Sequence, residues 1–196
     1  TGLPVVYDFR SQDVLLDGNG APLVPIGDEL LFGEYDACVN LGGFSNISFK
    51  KENKRIAFDI SPLNIVLNKL SQKLGKEFDE NGDFAKAGNV NAELLEKLNA
   101  LDFYKSSAPK SLGIEWCNQY IFPLIESEEN TEDCIATFTE HAATQLAKVL
   151  NENDLRKVLI TGGGVYNRYF VELVKQKTSS EIIIPGKNII EFKEAQ

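Results

Sequence analysis

The sequence has no methionine, a single histidine (His141), a single tryptophan (Trp116) and three cysteines. One histidine leaves no partner for a His–His pair and no His-rich metal site. Cys38, Cys117 and Cys134 are odd in number and lack C-x-x-C spacing, which excludes a zinc ribbon and a disulfide scaffold. Basic residues are the minority, 20 Lys and Arg against 29 Asp and Glu, for a formal net charge of −9. Without a basic run the chain lacks the clustered cations that neutralise a phosphate backbone, so no nucleic-acid partner is expected. No apolar stretch approaches the roughly 18 residues of a membrane span. No membrane partner is expected, and a reducing, cytoplasmic setting is.

What is present is 196 residues, 43% hydrophobic and 25% charged. That is enough for one full domain, or for one domain plus part of another. The opening TGLPVVYDF reads as an extended element with no signal-peptide pattern before it. The closing IIEFKEAQ reads as the first turns of a helix. Both ends predict a segment of a longer protein.

Between them, Asp17 to Gly27 is Gly- and Pro-rich and predicts loop. Ala37–Leu41 and Asn46–Phe49 are β-prone runs on either side of Gly42-Gly43, which predicts a hairpin whose glycines supply positive φ. After a charged turn at Lys50–Lys54, Arg55–Asp59 predicts a third strand. Ser61 is expected to cap a helix opening at Pro62. Its apolar face is Leu63, Val66, Leu67, Leu70 and Leu74, and Gly75 stops it. Asn81-Gly82 marks a turn, Asn91 starts a short helix, and another helix is expected from Ser111 to Phe122. Ile135, Phe138, Ala142, Leu146 and Val149 give a long helix one apolar face. Lys157–Thr161 predicts a buried strand, Gly162-Gly163-Gly164 a turn, Asn167–Gln176 a helix and Glu181–Ile184 a strand. A hairpin, then helices, then βαβ predict an α/β class with a mixed sheet.

Four features carry chemistry, each beside an ordinary alternative. Gly42-Gly43 admits close approach of a phosphate to bare backbone N–H groups, although turn chemistry alone explains most such pairs. Gly162-Gly163-Gly164 lies between a strand and a helix, where an N-terminus favours anions. It has neither the G-K-[ST] of a Walker A loop nor G-x-G-x-x-G spacing, and three glycines exceed what a strand-to-helix turn requires. Asp59 ends a strand, as a turn-former or as a general base, a role worth about 10²- to 10⁴-fold in rate. Asp8, Arg10 and Asp13 form either a surface ion-pair cluster or a fork for sugar hydroxyls. His141, Trp116 and the cysteines read as core.

Taken together these segments resemble the anhydro-N-acetylmuramic acid kinase family, within the sugar kinase, heat-shock ATPase and actin superfamily. The resemblance rests on PVVYDFR and GNGAPLVP within residues 4–25, VNLGGFSNISF at 39–49 and AFDISPLNIVLN at 57–68. It continues through FDENGDFAKAGNVN at 78–91, PKSLGIEW at 109–116, ITGGGVYNRYF at 160–170 and the terminal FKEAQ. It implies an actin-like ATPase (ribonuclease H-like) lobe, with residues 1–35 closing a first lobe and 36–196 forming a second, nucleotide-binding one. The implied reaction uses ATP and Mg²⁺ to open 1,6-anhydro-N-acetylmuramic acid with water and phosphorylate its 6-oxygen, a step of cell-wall recycling. Carried over by position, Asp59 is the base, and Gly42, Gly43 and Asn46 the phosphate segment. Gly162, Gly163, Gly164 and Asn167 are the adenosine segment, and Arg10, Asp13 and Asn64 meet the sugar; no metal ligand is assigned. A homodimer is compatible with the resemblance. The sequence departs from the family pattern at Ser61-Pro62-Leu63-Asn64, where Gly-Pro-Gly-Asn is common, and at Asn68, where Asp is common. It also lacks an N-terminal Gly-Thr-Ser-x-Asp-Gly-type phosphate loop. An inactive remnant of the fold and a kinase for another sugar are the alternative readings.

Overall fold

The structure, a computed structural model, describes residues 2, 8–16, 25–126 and 128–193, without the side chains of Phe9, Arg10, Asp13 and Phe192. The extended segment expected at Val5 and Val6 lies outside the described residues. Two short helices come first, α1 (Phe9–Leu15) and α2 (Pro25–Leu31). Helix α2 therefore takes the end of the stretch expected to be loop, with Pro25 at its first position, where a missing N–H leaves nothing unpaired.

A hairpin ladder follows, of β1 (Ala37–Leu41), β2 (Phe44–Lys51) and β3 (Lys54–Pro62), antiparallel throughout. Glu52 and Asn53 turn the second hairpin in the left-handed region, with φ of 49° and 63°, which matches the twist of the flanking strands. The first hairpin differs from expectation, because neither Gly42 nor Gly43 has positive φ. Their use lies in what approaches them rather than in turn strain.

Nor does Ser61 cap a helix. β3 runs on to Pro62, and Ser61 pairs with Ser45 across the ladder. The Ser45 hydroxyl donates to the Ser61 carbonyl at 3.0 Å and accepts the Ser61 N–H at 3.3 Å. Helix α3 (Asn64–Lys73) starts later, without a side-chain cap. Its leading N–H groups are met by the glycine turn instead: Leu63 and Ile65 donate to the Gly43 carbonyl at 2.8 and 3.2 Å, and Asn64 to that of Gly42 at 3.3 Å. A tertiary backbone contact has taken over from the local cap. Val66, Leu67 and Leu70 are buried as expected, and Gly75 ends the helix at φ +76°.

Short helices α4 (Asp83–Ala87) and α5 (Ala92–Asn99) follow, the latter capped by Asn91, which accepts from the Glu93 and Leu94 N–H groups. The helix expected from Ser111 begins at Ile114, because Gly113 is still extended (φ −130°, ψ 169°). It passes from α6 (Ile114–Trp116) through a π-turn (Cys117–Ile121) into α7 (Phe122–Ile125). Pro123 stands just past that turn, and a regular α-helix could not seat its ring against the carbonyl four residues back. The long helix α8 (Thr131–Glu152) is capped by Asn130. Then come β4 (Lys157–Thr161), a 3₁₀ turn (Gly163–Tyr166), α9 (Arg168–Lys177), β5 (Glu181–Ile183) and α10 (Lys187–Phe192).

The sheet order is β3-β2-β1-β4-β5, with β1, β4 and β5 parallel, so the mixed α/β class expected from the sequence is the class observed. On one face Val39, Leu41, Ile47, Phe58, Val158 and Ile160 join Phe138, Leu146 and Phe170 from the helices in the main core. Among the described residues the other face holds a smaller buried apolar group, Phe32, Cys38 and Leu159, with Tyr35, Ile183 and Ile189 packed against it.

Candidate functional site

Strand alternation puts Cys38 and Asn40 of β1 on the second face, and pairing aligns their neighbours with them. Asn40 is opposite Asn46 on β2 and opposite Thr161 on β4, and Asn46 is opposite Asp59 on β3. One register level thus carries Thr161, Asn40, Asn46 and Asp59 across four strands. An irregularity between Ser45 and Asn46 keeps this alignment while Ser45 and Ser61 turn to the core.

Asp59 is half-buried, and the segment Lys110–Leu112 grips it from two directions. Its N–H donates to the Lys110 carbonyl at 3.0 Å, and its Oδ2 accepts the Leu112 N–H at 2.8 Å. Burial pushes the carboxyl above its ordinary pKa, and the Leu112 N–H pulls the other way. The result is an oriented, partly desolvated carboxylate that has become a better proton acceptor.

Both glycine turns abut this row at Asn40. A Cβ at Gly42 would lie 3.4 Å from Asn40 Nδ2, and one at Gly162 would lie 2.4 Å from Asn40 Oδ1. Gly162 also has φ +86°. A Cβ at Gly164 would lie 2.7 Å from Leu41 Cβ, so the turn packs directly on β1. These two glycines are accounted for by close packing. Gly163 is different: nothing lies within 4 Å of where its Cβ would be.

Gly163 faces a cavity of about 520 Å³, lined also by Gly164, Asn167, Asn64, Asn68, Asp79, Asn81, Tyr166 and Arg168. Asn167 has a local duty as well, because its Oδ1 accepts the Phe170 N–H at 2.9 Å and so caps α9. Asn64 donates from Nδ2 to the Leu41 carbonyl at 3.2 Å. The opposite wall is the turn before α4. Asp79 is buried and accepts the Phe84 and Ala85 N–H groups at 2.8 and 3.1 Å. Gly82, at φ +81°, backs onto Asn167 so closely that a Cβ there would stand 2.4 Å from its Oδ1.

The structure thus brings Asp59 and Asn46 together on the sheet, brings Gly163, Gly164, Asn167 and Asn64 together around a cavity, and sets Gly42, Gly43 and Gly162 between. Arg10 and Asp13 lie on α1, and their side chains are outside the described ones. Sequence reasoning missed Asn40, which joins the two glycine turns, and the wall formed by Asp79 and Asn81. For the wall, the available signals were the Asn81-Gly82 turn and the FDENGDFAKAGNVN segment of the resemblance, neither of which assigned it a role. His141 is structural as expected. It is fully buried, with Nδ1 2.7 Å from Asn99 Oδ1 and Nε2 2.9 Å from the Tyr104 hydroxyl, and burial lowers its pKa to about 3. Among the described residues no group of three or more His, Cys, Asp or Glu side chains is placed to hold a metal ion, and no helix is long and apolar enough to cross a membrane.

A family model described as anhydro-N-acetylmuramic acid kinase matches residues 1–188. Curated proteins of that name are similar too. Those of Pseudomonas fluorescens and Haemophilus influenzae are each 37% identical over 85% of this chain, and one from a gamma-proteobacterium is 35% identical over 94%. The chain spans about half the length of these relatives (49%, 49% and 52%). Among solved structures, the activator of the 2-hydroxyisocaproyl-CoA dehydratase from Clostridium difficile, with bound ADPNP, superposes with a TM-score of 0.52 at 16% identity. The match covers 87% of this chain and 60% of that one. At that identity the likeness concerns the fold alone, and the fold is that of the actin-like ATPases.

Proposed function

Since the chain belongs to the anhydro-N-acetylmuramic acid kinase family, we propose that it supplies the nucleotide-binding lobe of a kinase that opens 1,6-anhydro-N-acetylmuramic acid and phosphorylates its 6-oxygen. The observation that carries this reading is the placement of Asp59, an oriented and half-buried carboxylate in register with Asn46 and one strand from the Gly42-Gly43 turn.

In this reading, Asp59 takes a proton from a water that attacks the anomeric carbon. The bond from that carbon to the 6-oxygen breaks, and the electron pair stays on the 6-oxygen. That oxygen attacks the γ-phosphorus of ATP, the bridge to the β-phosphate breaks, and ADP leaves. The Gly42-Gly43 turn, whose carbonyls are directed to α3, offers its N–H side to the phosphates, with Asn46 beside it. The cavity edged by Gly163, Gly164 and Asn167 takes the adenosine, and at about 520 Å³ it has room for a nucleoside. Mg²⁺, carried on the nucleotide's phosphates, would neutralise charge on the transferring group. Residues 1–35 close a first lobe, from which Arg10 and Asp13 reach the sugar; residues 36–196 make the second. The setting is cytoplasmic, and a homodimer fits the family.

The test is ADP release by the full-length protein carrying this sequence, with Mg-ATP and either the anhydro sugar or N-acetylglucosamine. Release that requires the anhydro sugar supports the proposal. Release only with N-acetylglucosamine would point to another sugar, and no nucleotide binding by a folded protein would mean an inactive remnant.

A further inference from the structure

Behind β3, on the face opposite Asp59, is a second cavity of about 370 Å³ that the proposed kinase chemistry does not use. Phe58 and Ile60, the neighbours of Asp59 in the strand, form its floor, and the end of α8 and the loop before Lys110 form its rim. Its charge runs against that of the chain: Lys51, Lys105, Lys110 and Lys148 line it with one acid, Glu152, although acidic residues outnumber basic ones overall.

Lys110 is the central group. Its ammonium is half-buried, 4.4 Å from the Phe103 ring centre and 5.8 Å from that of Phe58, and its hydrogen bond is to the Phe103 carbonyl at 2.9 Å. Among the described residues neither Lys110 nor Lys51 has a carboxylate in ion-pair contact. Glu152 is instead 3.8 Å from Lys148, and Lys105 pairs outward with Asp102. Burial lowers the Lys110 pKa, with Lys148 adding to the effect. A half-buried cation among like charges is stabilised by a bound anion. The Ser107 hydroxyl and the second N–H of the Gln145 amide add neutral donors on the same rim, while the Ser106 hydroxyl donates to the Asp102 carbonyl at 3.1 Å.

We propose that this cavity binds a small phosphate monoester, held by Lys110 and Lys148 with the Ser107 hydroxyl as a donor. Several separate ammonium groups suit the spread oxygens of a phosphate, which lysine meets as point charges. The site stands apart from the kinase reading, but its ligand would sit beside the backbone that holds Asp59, since the Lys110 carbonyl takes the Asp59 N–H.

Trp116, the single tryptophan, provides the readout, because its ring centre is 5.3 Å from that of Phe103. The chain would be titrated with inorganic phosphate and glucose 6-phosphate, against chloride and glucose at matched ionic strength. A saturable change in emission with either phosphate, absent with both controls, is expected. Lys110→Gln and Lys148→Gln should each weaken it at least tenfold, while Lys76→Gln, at an exposed lysine outside the cavity, should leave it unchanged. Tighter binding of glucose 6-phosphate would assign a sugar phosphate, and equal binding the phosphate group alone. A response that never saturates, that chloride reproduces, or that survives in both lysine variants, would overturn the proposal.

Discussion

Three adjacent glycines, identical in sequence, have different environments. A methyl group at Gly164 would be pressed against Leu41, with 2.7 Å to its Cβ and 3.0 Å to its carbonyl oxygen. Gly164→Ala should therefore lower stability by about 1–3 kcal/mol, the usual range for overpacking, read as a fall in Tm. A methyl group at Gly163 meets nothing within 4 Å. Gly163→Ala should leave Tm within a degree or so of the parent and weaken nucleotide binding, as titration calorimetry with an ATP analogue would show. Equal losses of Tm in both variants would contradict this division. The sequence showed that the run was richer in glycine than a turn requires. It could not say which glycine was surplus, because the closeness of Gly162 and Gly164 to β1 comes from a strand more than a hundred residues earlier.

Among the elements, those whose signals are local were legible. The apolar face of α3, the Asn91 cap of α5 and the buried run of β4 follow from spacing and from side chains that bond within a few residues. What was misread depended on distant partners. Ser61 looks like a cap, but Ser45, sixteen residues earlier, engages its backbone, and the glycine turn satisfies the helix that follows. Likewise, Asn40 carries no motif of its own and gains meaning from lying between two turns. Helix α8 gives a prediction at this scale. His141 is held neutral among Asn99, Tyr104, Gln145 and Phe138, with Gln145 also bonding Asn99 Oδ1 at 2.8 Å. Its folded pKa of about 3 lies below the ordinary 6.5, so below about pH 6.5 the unfolded chain takes up a proton that the folded chain refuses. Stability contributed by this site is whole above that value and falls as pH drops toward 3, by up to about 1.4 kcal/mol per pH unit. Urea midpoints between pH 7 and 4 should decline, and His141→Gln should show a shallower decline even though it is less stable at pH 7.

For the molecule as a whole, α2 and the end of α10 are tied to the sheet's second face through Asp28. Buried there, its carboxylate accepts from the Ser48 hydroxyl and from Lys193 Nζ at 3.0 Å, and it stands 4.0 Å from Arg55. Asp28→Ala would leave two cations beside each other without a counter-charge, a loss of about 3–5 kcal/mol. Thermal unfolding should show it, together with earlier proteolysis at residues 25–31; an unchanged Tm would mean the pair contributes little. The mixed α/β class was legible from the alternation of element types. The polar row from Thr161 to Asp59 was not, because register is a property of paired strands rather than of either one. The account as a whole stands on the base in that row. The most direct test compares the full-length protein carrying this sequence with its Asp59→Asn variant in kcat/KM for ADP release with the anhydro sugar, as a function of pH. The parent should lose activity on the acid side around a pKa above 3.8, raised by burial. The variant should fold normally, lose at least about a hundredfold in rate and lack that acid limb. A folded variant within tenfold of the parent, or one that keeps the acid limb, would contradict Asp59 as the base.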